Sequence, residues 1–88
     1  MGYRVVWKRK VDKQIAKLPK MEQFKFVELV NDLKEKGVIQ PDWPNYSKLE
    51  DNSFHCHLSR RWVACWKWFE ESIVIEVYYA GSRENAPY

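Results

Sequence analysis

The spacing of apolar and polar positions changes period twice along the chain. Tyr3-Arg4-Val5-Val6-Trp7 is rich in β-branched and aromatic residues and predicts an opening strand. Val11, Ile15 and Leu18 then recur at i, i+4 and i+7, with Lys10, Lys13, Lys17 and Lys20 on other faces. That pattern predicts a short amphipathic helix ending near Pro19. A second helix is predicted from about Lys20 to Lys36. Phe26, Val27, Val30 and Leu33 form its apolar stripe, with Met21, Phe24 and Leu29 flanking it. Lys34 and Lys36 in its last turn and Gly37 just beyond are C-terminal signals. The two helices, joined through Leu18-Pro19, form an antiparallel hairpin.

From residue 54 the period is two. Phe54, Cys56 and Leu58 fall on one face of a strand and His55 and His57 on the other. Ser59-Arg60-Arg61 turns the chain, Trp62 to Phe69 is a second strand, Glu70-Glu71-Ser72 a second turn, and Ile73 to Tyr79 a third strand that Gly81 ends. The nearly continuous apolar character of Ile73–Tyr79 predicts a central strand. Residues 37–52, with Pro41, Pro44, Asn45 and Asn52, read as a linker pinned by Trp43 and Tyr46. A linker this long in a small domain is often functional. The expected fold is α+β: an N-terminal strand, a two-helix hairpin and a three-stranded antiparallel meander in one sheet, with the helices on one face. At 88 residues the chain has room for one domain, residues 1–88.

Composition adds an ambiguity. Five Trp, five Tyr and four Phe accompany 15 Lys and Arg. Such a mixture suits either an aromatic core or a surface that stacks on bases and holds phosphates. Charge is uneven. Residues 1–20 carry seven basic side chains against Asp12 alone, a net +6, and the other 68 residues carry eight basic and eleven acidic, a net −3. A basic region of this kind points to a polyanion, and equally to a solvated helix face. The longest apolar run, Trp62–Trp66, is far short of the roughly 18 residues that span a bilayer. No targeting segment is visible, and Val6 stands where a myristoylation signal needs Ser or Thr. A cytoplasmic location is expected. In that compartment Cys56 and Cys65 are expected as reduced, buried thiols, although a cross-strand disulfide in the hairpin is conceivable.

The candidate chemistry centres on His55 and His57. Two imidazoles on one strand face can divide the work of base and acid. RNA brings its own nucleophile, the 2′-hydroxyl. Its cleavage needs a base, an acid for the leaving 5′-oxygen, and a cation for the charge that grows on the phosphate. No cofactor is implied. A His-x-His pair also begins some zinc sites, but a third ligand on the same face is required and Cys56 points the other way. Arg83, beyond the last strand, carries the guanidinium fork suited to a phosphate, and Arg60 and Arg61 are further candidates for backbone contact. Tyr88 and Tyr79 are candidates for stacking on a base.

The order β-α-α-β-β-β, the basic helical hairpin, and the ending Ile73-Val74-Ile75-Glu76-Val77-Tyr78-Tyr79-Ala80-Gly81-Ser82-Arg83-Glu84 together resemble the RelE/ParE toxin superfamily of bacterial toxin–antitoxin modules. The likeness covers essentially the whole chain. It implies an endoribonuclease that cuts mRNA, commonly on the ribosome, and is held inactive by a cognate antitoxin. It implies that His55 and His57 occupy the positions where RelE-like members carry paired basic residues. Arg83 then matches the arginine after the last strand, and Tyr88 the C-terminal tyrosine. Arg9, Lys10, Lys13 and Lys17 would grip RNA backbone. One departure is plain: Val63 stands where RelE-like toxins carry a strand arginine. ParE-like members share the fold and target DNA gyrase, so a gyrase inhibitor, or an inactive relative that only binds antitoxin, is the alternative expectation.

Overall fold

In a computed structural model describing residues 2–69 and 71–88, the chain runs β1 (Arg4–Trp7), α1 (Arg9–Ala16), α2 (Lys20–Lys36), β2 (Ser47–Glu50), β3 (Ser53–His57), β4 (Trp62–Trp68) and β5 (Val74–Ser82). The strands form one sheet in the order β1-β5-β4-β3-β2. β1 lies parallel to β5, and every other pairing is antiparallel. The helical hairpin is the crossover that a parallel neighbour requires. The predicted α+β class, helix spans and strand faces are those observed.

The meander differs from expectation in length. It has four strands, because part of the predicted linker, Ser47–Glu50, pairs with β3 at the sheet edge. The prolines and asparagines around this segment mark its ends rather than its middle. The Glu70-Glu71-Ser72 turn falls partly outside the described residues at Glu70; Glu71, with φ of 66°, turns the chain. The last strand also continues through Gly81 to Ser82 instead of ending before it.

One face of the sheet, lined by Phe54, Cys56, Ala64, Trp66, Ile75, Val77 and Ala80, packs against Val11, Leu18, Phe26, Leu29, Val30 and Leu33 of the hairpin. Tyr46, Phe54 and Trp66 stack on one another with centroids 6.3–6.4 Å apart. Tyr3, Trp7, Trp43, Trp62 and Trp68 pack around the rim. Indole N–H groups are bonded as burial demands: Trp66 to the Val38 carbonyl, Trp43 to Asp32, Trp7 to Asp12 and Trp68 to the Ser72 carbonyl. Most of the aromatic excess is therefore structural.

The stripe on α2 is rotated from its predicted position. Phe26, Leu29, Val30 and Leu33 are buried, whereas Val27 joins Met21 and Phe24 on the solvent side. Seven apolar residues in 17 exceed what one core-facing stripe can hold, so periodicity alone did not choose among them. Gly37 closes α2 with φ of 85°, a conformation that favours glycine, and its Cα faces the Tyr3 ring at a distance that leaves little room for a Cβ.

Beyond Trp7 strand β1 ends, and β5 loses its parallel partner. A side chain takes over there: Gln14 Oε1 of α1 accepts the Ala80 amide at 3.0 Å. On the opposite edge of β5 a bulge falls at Tyr78, since Trp66 faces Val77 and Cys65 faces Tyr79. The bulge turns both Tyr78 and Tyr79 away from the helices. Tyr79 then folds back over Gly81 and donates to the Ser82 carbonyl at 2.7 Å. A Cβ at Gly81 would stand 2.7 Å from the Tyr79 hydroxyl.

Candidate active site

The sheet face away from the helices carries the histidines. In the β3–β4 register His55 lies opposite Cys65 and His57 opposite Val63, and β4 pairs those two with Tyr79 and Gly81. The imidazole centroids are 5.9 Å apart, as expected for i and i+2 on one strand. Neither ring looks onto open solvent. Each histidine is only 8% exposed, so the pair is covered although it lies on the face away from the helices. The Tyr88 ring covers His55 with a centroid separation of 4.5 Å. The rest of the cover comes from the edge strand and the segment before it, which the sequence reading treated as a linker.

That segment supplies two polar partners that sequence reasoning missed. Ser47 Oγ and His55 Nδ1 share a hydrogen bond of 3.0 Å. Asn45 Nδ2 stands 3.5 Å from His57 Nε2, at the outer limit for donation. Asn45 adopts φ of 54°, and the His57 amide donates to the Pro44 carbonyl at 2.8 Å, which docks the segment on β3. The available signal was the alternation Tyr46-Ser47-Lys48-Leu49-Glu50, hidden among turn residues.

Burial lowers the His55 pKa below the usual imidazole value; the neighbouring His57 charge acts in the same direction, and a hydrogen bond to the Ser47 backbone opposes. His55 is thus neutral at physiological pH, a form that accepts a proton. Burial raises the Tyr88 phenol above its ordinary range, with Cys65 reinforcing the shift and Arg83 opposing it. Arg83 opens the tail that ends in Tyr88. The Arg83 amide donates to the Arg61 carbonyl at 2.8 Å, so the β3–β4 turn and the tail lie side by side. Arg60, Arg61 and Arg83 are all exposed.

Val63 is fully buried beside His57, and no arginine occupies that position. The two cysteines lie on opposite faces, Cys56 among the helix-facing residues and Cys65 among the histidines, and both are free. A cross-strand disulfide is thereby excluded by geometry. Burial pushes the Cys65 thiol up to about 12. Cys65, rather than Cys56, shares the histidine face, yet among the described residues no three metal-ligating side chains converge on one point.

The basic residues of α1 form a separate surface. Arg9, Lys10, Lys13 and Lys17 are exposed and cluster in an arc opposite the buried Val11. Only Lys10, with Lys8, approaches the sheet. These two line a groove of about 550 Å³ with Glu50, Ser53, Lys67, Glu76, Tyr78 and Pro87. Lys67 in this groove is paired with Glu76 at 3.7 Å. Ser53 and Tyr78 hydroxyls hydrogen-bond across the floor. Among the described residues no helix is long and apolar enough to cross a membrane.

Comparison with known proteins places this fold. No family model matches the sequence, and no curated protein matches it. Solved structures do match. A chain of the archaeal RelE–RelB complex from Pyrococcus horikoshii superposes with a TM-score of 0.76 at 20% identity, over 98% of this chain and 100% of that one. A mutant of the E. coli toxin RelE in the free state gives 0.76 at 18% identity, over 98% and 88%. A chain of the E. coli DinJ–YafQ toxin–antitoxin complex gives 0.75 at 12% identity, over 96% of each. The chain therefore has the RelE-like toxin fold along nearly its whole length.

Proposed function

We propose that this chain is the toxin of a toxin–antitoxin pair, an endoribonuclease that cuts mRNA and so stops translation, acting as one domain over residues 1–88 in the cytoplasm. The observation that carries the reading is the joint placement of His55, His57 and Tyr88 on one sheet face, with Arg83 at the start of the tail that bears Tyr88. Neutral His55 takes the proton of the 2′-hydroxyl as that oxygen attacks the adjacent phosphorus. The new O2′–P bond forms as the P–O5′ bond breaks. His57 delivers a proton to the departing 5′-oxygen. The products are a 2′,3′-cyclic phosphate and a free 5′-hydroxyl. Arg83 stabilises the charge on the phosphate oxygens. Because Tyr88 covers His55, the scissile phosphate reaches the imidazole only when that ring swings aside, and the freed ring can stack on a neighbouring base.

Lys8, Lys10 and the basic face of α1 then hold the RNA backbone along the adjoining groove, with the mRNA cut on the ribosome. An antitoxin is the expected protein partner. Among the matched structures are the DinJ–YafQ toxin–antitoxin complex and E. coli toxin RelE in complex with an antitoxin RelBc peptide, and two others, RelE–RelB and YoeB–YefM, are also complexes. Induction of the chain in bacteria, with mapping of mRNA ends, tests the reading. New 5′ ends within coding regions are expected, and a folded variant with His55, His57 and Arg83 all replaced by Ala should permit growth. Intact mRNA with impaired DNA supercoiling would identify a gyrase inhibitor instead.

A further inference from the structure

Helix α2 has two apolar faces. Phe26, Leu29, Val30 and Leu33 meet the sheet, while Met21, Phe24 and Val27 stay 65%, 61% and 56% exposed. At about 100° per residue, Phe24 points directly away from buried Leu33, with Met21 and Val27 one turn to either side. Three large apolar side chains in a row on the solvent face of a 17-residue helix form a contiguous patch rather than a scattering. The charges around it are arranged symmetrically. Lys20 lies four residues before Phe24 and Glu28 four residues after it, both exposed on the same face. Neither is paired: among the described residues the ion pair present is Lys67–Glu76.

We propose that this face is a self-association surface, on which two copies of the chain pair α2 against α2, antiparallel, about a two-fold axis at Phe24. The two-fold operation sets Phe24 on its own copy, Met21 on the partner's Val27, and Lys20 on the partner's Glu28, twice over. A parallel pairing would set Lys20 against Lys20 and Glu28 against Glu28, so the charges select the antiparallel one. The antiparallel arrangement also opposes the two helix dipoles favourably. The patch is small, so the dimer is weak and concentration-dependent. The active-site face lies on the other side of the sheet and remains free in both copies.

Sedimentation equilibrium over a concentration series from about 1 μM to about 1 mM tests this. A monomer–dimer equilibrium is expected at low salt, weakening as salt rises. Phe24→Glu, at an exposed position, should leave the circular dichroism spectrum and melting temperature unchanged and abolish the dimer. Lys20→Glu or Glu28→Lys alone turns two attractions into two repulsions and should weaken dimerisation about tenfold. The double variant Lys20→Glu/Glu28→Lys should restore it. A chain that stays monomeric throughout would assign the patch to a different protein and overturn the proposal. So would a dimer indifferent to Phe24→Glu, or a double reversal no better than the single ones.

Discussion

The two faces of the same sheet are both buried, by different means. The helix-facing side chains of β3 and β4, Phe54, Cys56, Ala64 and Trp66, are apolar and lie under 25 residues of helix. The other face, at His55, His57, Val63 and Cys65, is as well shielded but by the edge strand and a six-residue tail. The tail is held by few hydrogen bonds: the Arg83 amide to the Arg61 carbonyl, the Asn85 amide to the Ser82 hydroxyl and the Ala86 amide to the Arg83 carbonyl. Helix cover excludes water permanently and stabilises the fold. Tail cover has few contacts to break, so it can open locally at small free-energy cost. That difference separates the stabilising face of this protein from its chemical face.

Substitutions that separate stability from activity test the contrast most strongly. Trp66→Ala on the helix side should cost about 3–5 kcal/mol in urea denaturation, enough to unfold much of the protein. His57→Ala on the other side should lower RNA cleavage by about a hundredfold or more while leaving urea stability within about 1–2 kcal/mol of the parent. Equal losses of stability from the two would erase the distinction.

Gly81→Ala sits where the faces meet the bulge. The added Cβ meets the Tyr79 ring, which its bond to Ser82 holds in place, and should cost about 1–3 kcal/mol. In a Tyr79→Ala background the same change should cost markedly less, a coupling that a double-mutant cycle in thermal melts would read.

A smaller effect concerns pH. His55 has its folded pKa lowered by burial, so the unfolded chain binds the proton more readily. Stability is full above the ordinary imidazole value of about 6.5 and declines as pH falls through that value toward the lower folded pKa. The melting temperature should drop between pH 7.5 and pH 5.5, and His55→Gln should flatten that slope. A parent slope unchanged by the substitution would show that another group is responsible.

The smallest stability effect should come from Tyr88→Ala, within about 0.5 kcal/mol by melting. The same variant should markedly accelerate diethyl pyrocarbonate modification of His55. An unchanged modification rate would mean that the tail is not the cover.

Much of this was legible before any coordinates. The limits of α2 followed from Pro19 and Gly37, and the facing of β3 from strict alternation at Phe54–Leu58, because local backbone chemistry determines both. The histidine pair followed from the same alternation. Three features were not legible. β2 was masked by the prolines and asparagines that flank it, since an edge strand needs only one partner and little periodicity. The outward turn of Val27 depended on which of seven apolar residues the sheet could accommodate. The burial of His55 depended on Tyr88, 33 positions away in the chain.

The sequence by itself determined which residues form helices and strands, which side of each strand is apolar, and which side carries imidazoles, because these depend on neighbours within a few positions. Only the tertiary structure decided what covers each side. The hairpin closes one face because its apolar surface has nowhere else to go. The other face is closed by Ser47, Asn45 and Tyr88, which reach the histidines only after β2 pairs with β3 and the tail returns past Arg61. Those contacts are long-range, and no local pattern encodes them.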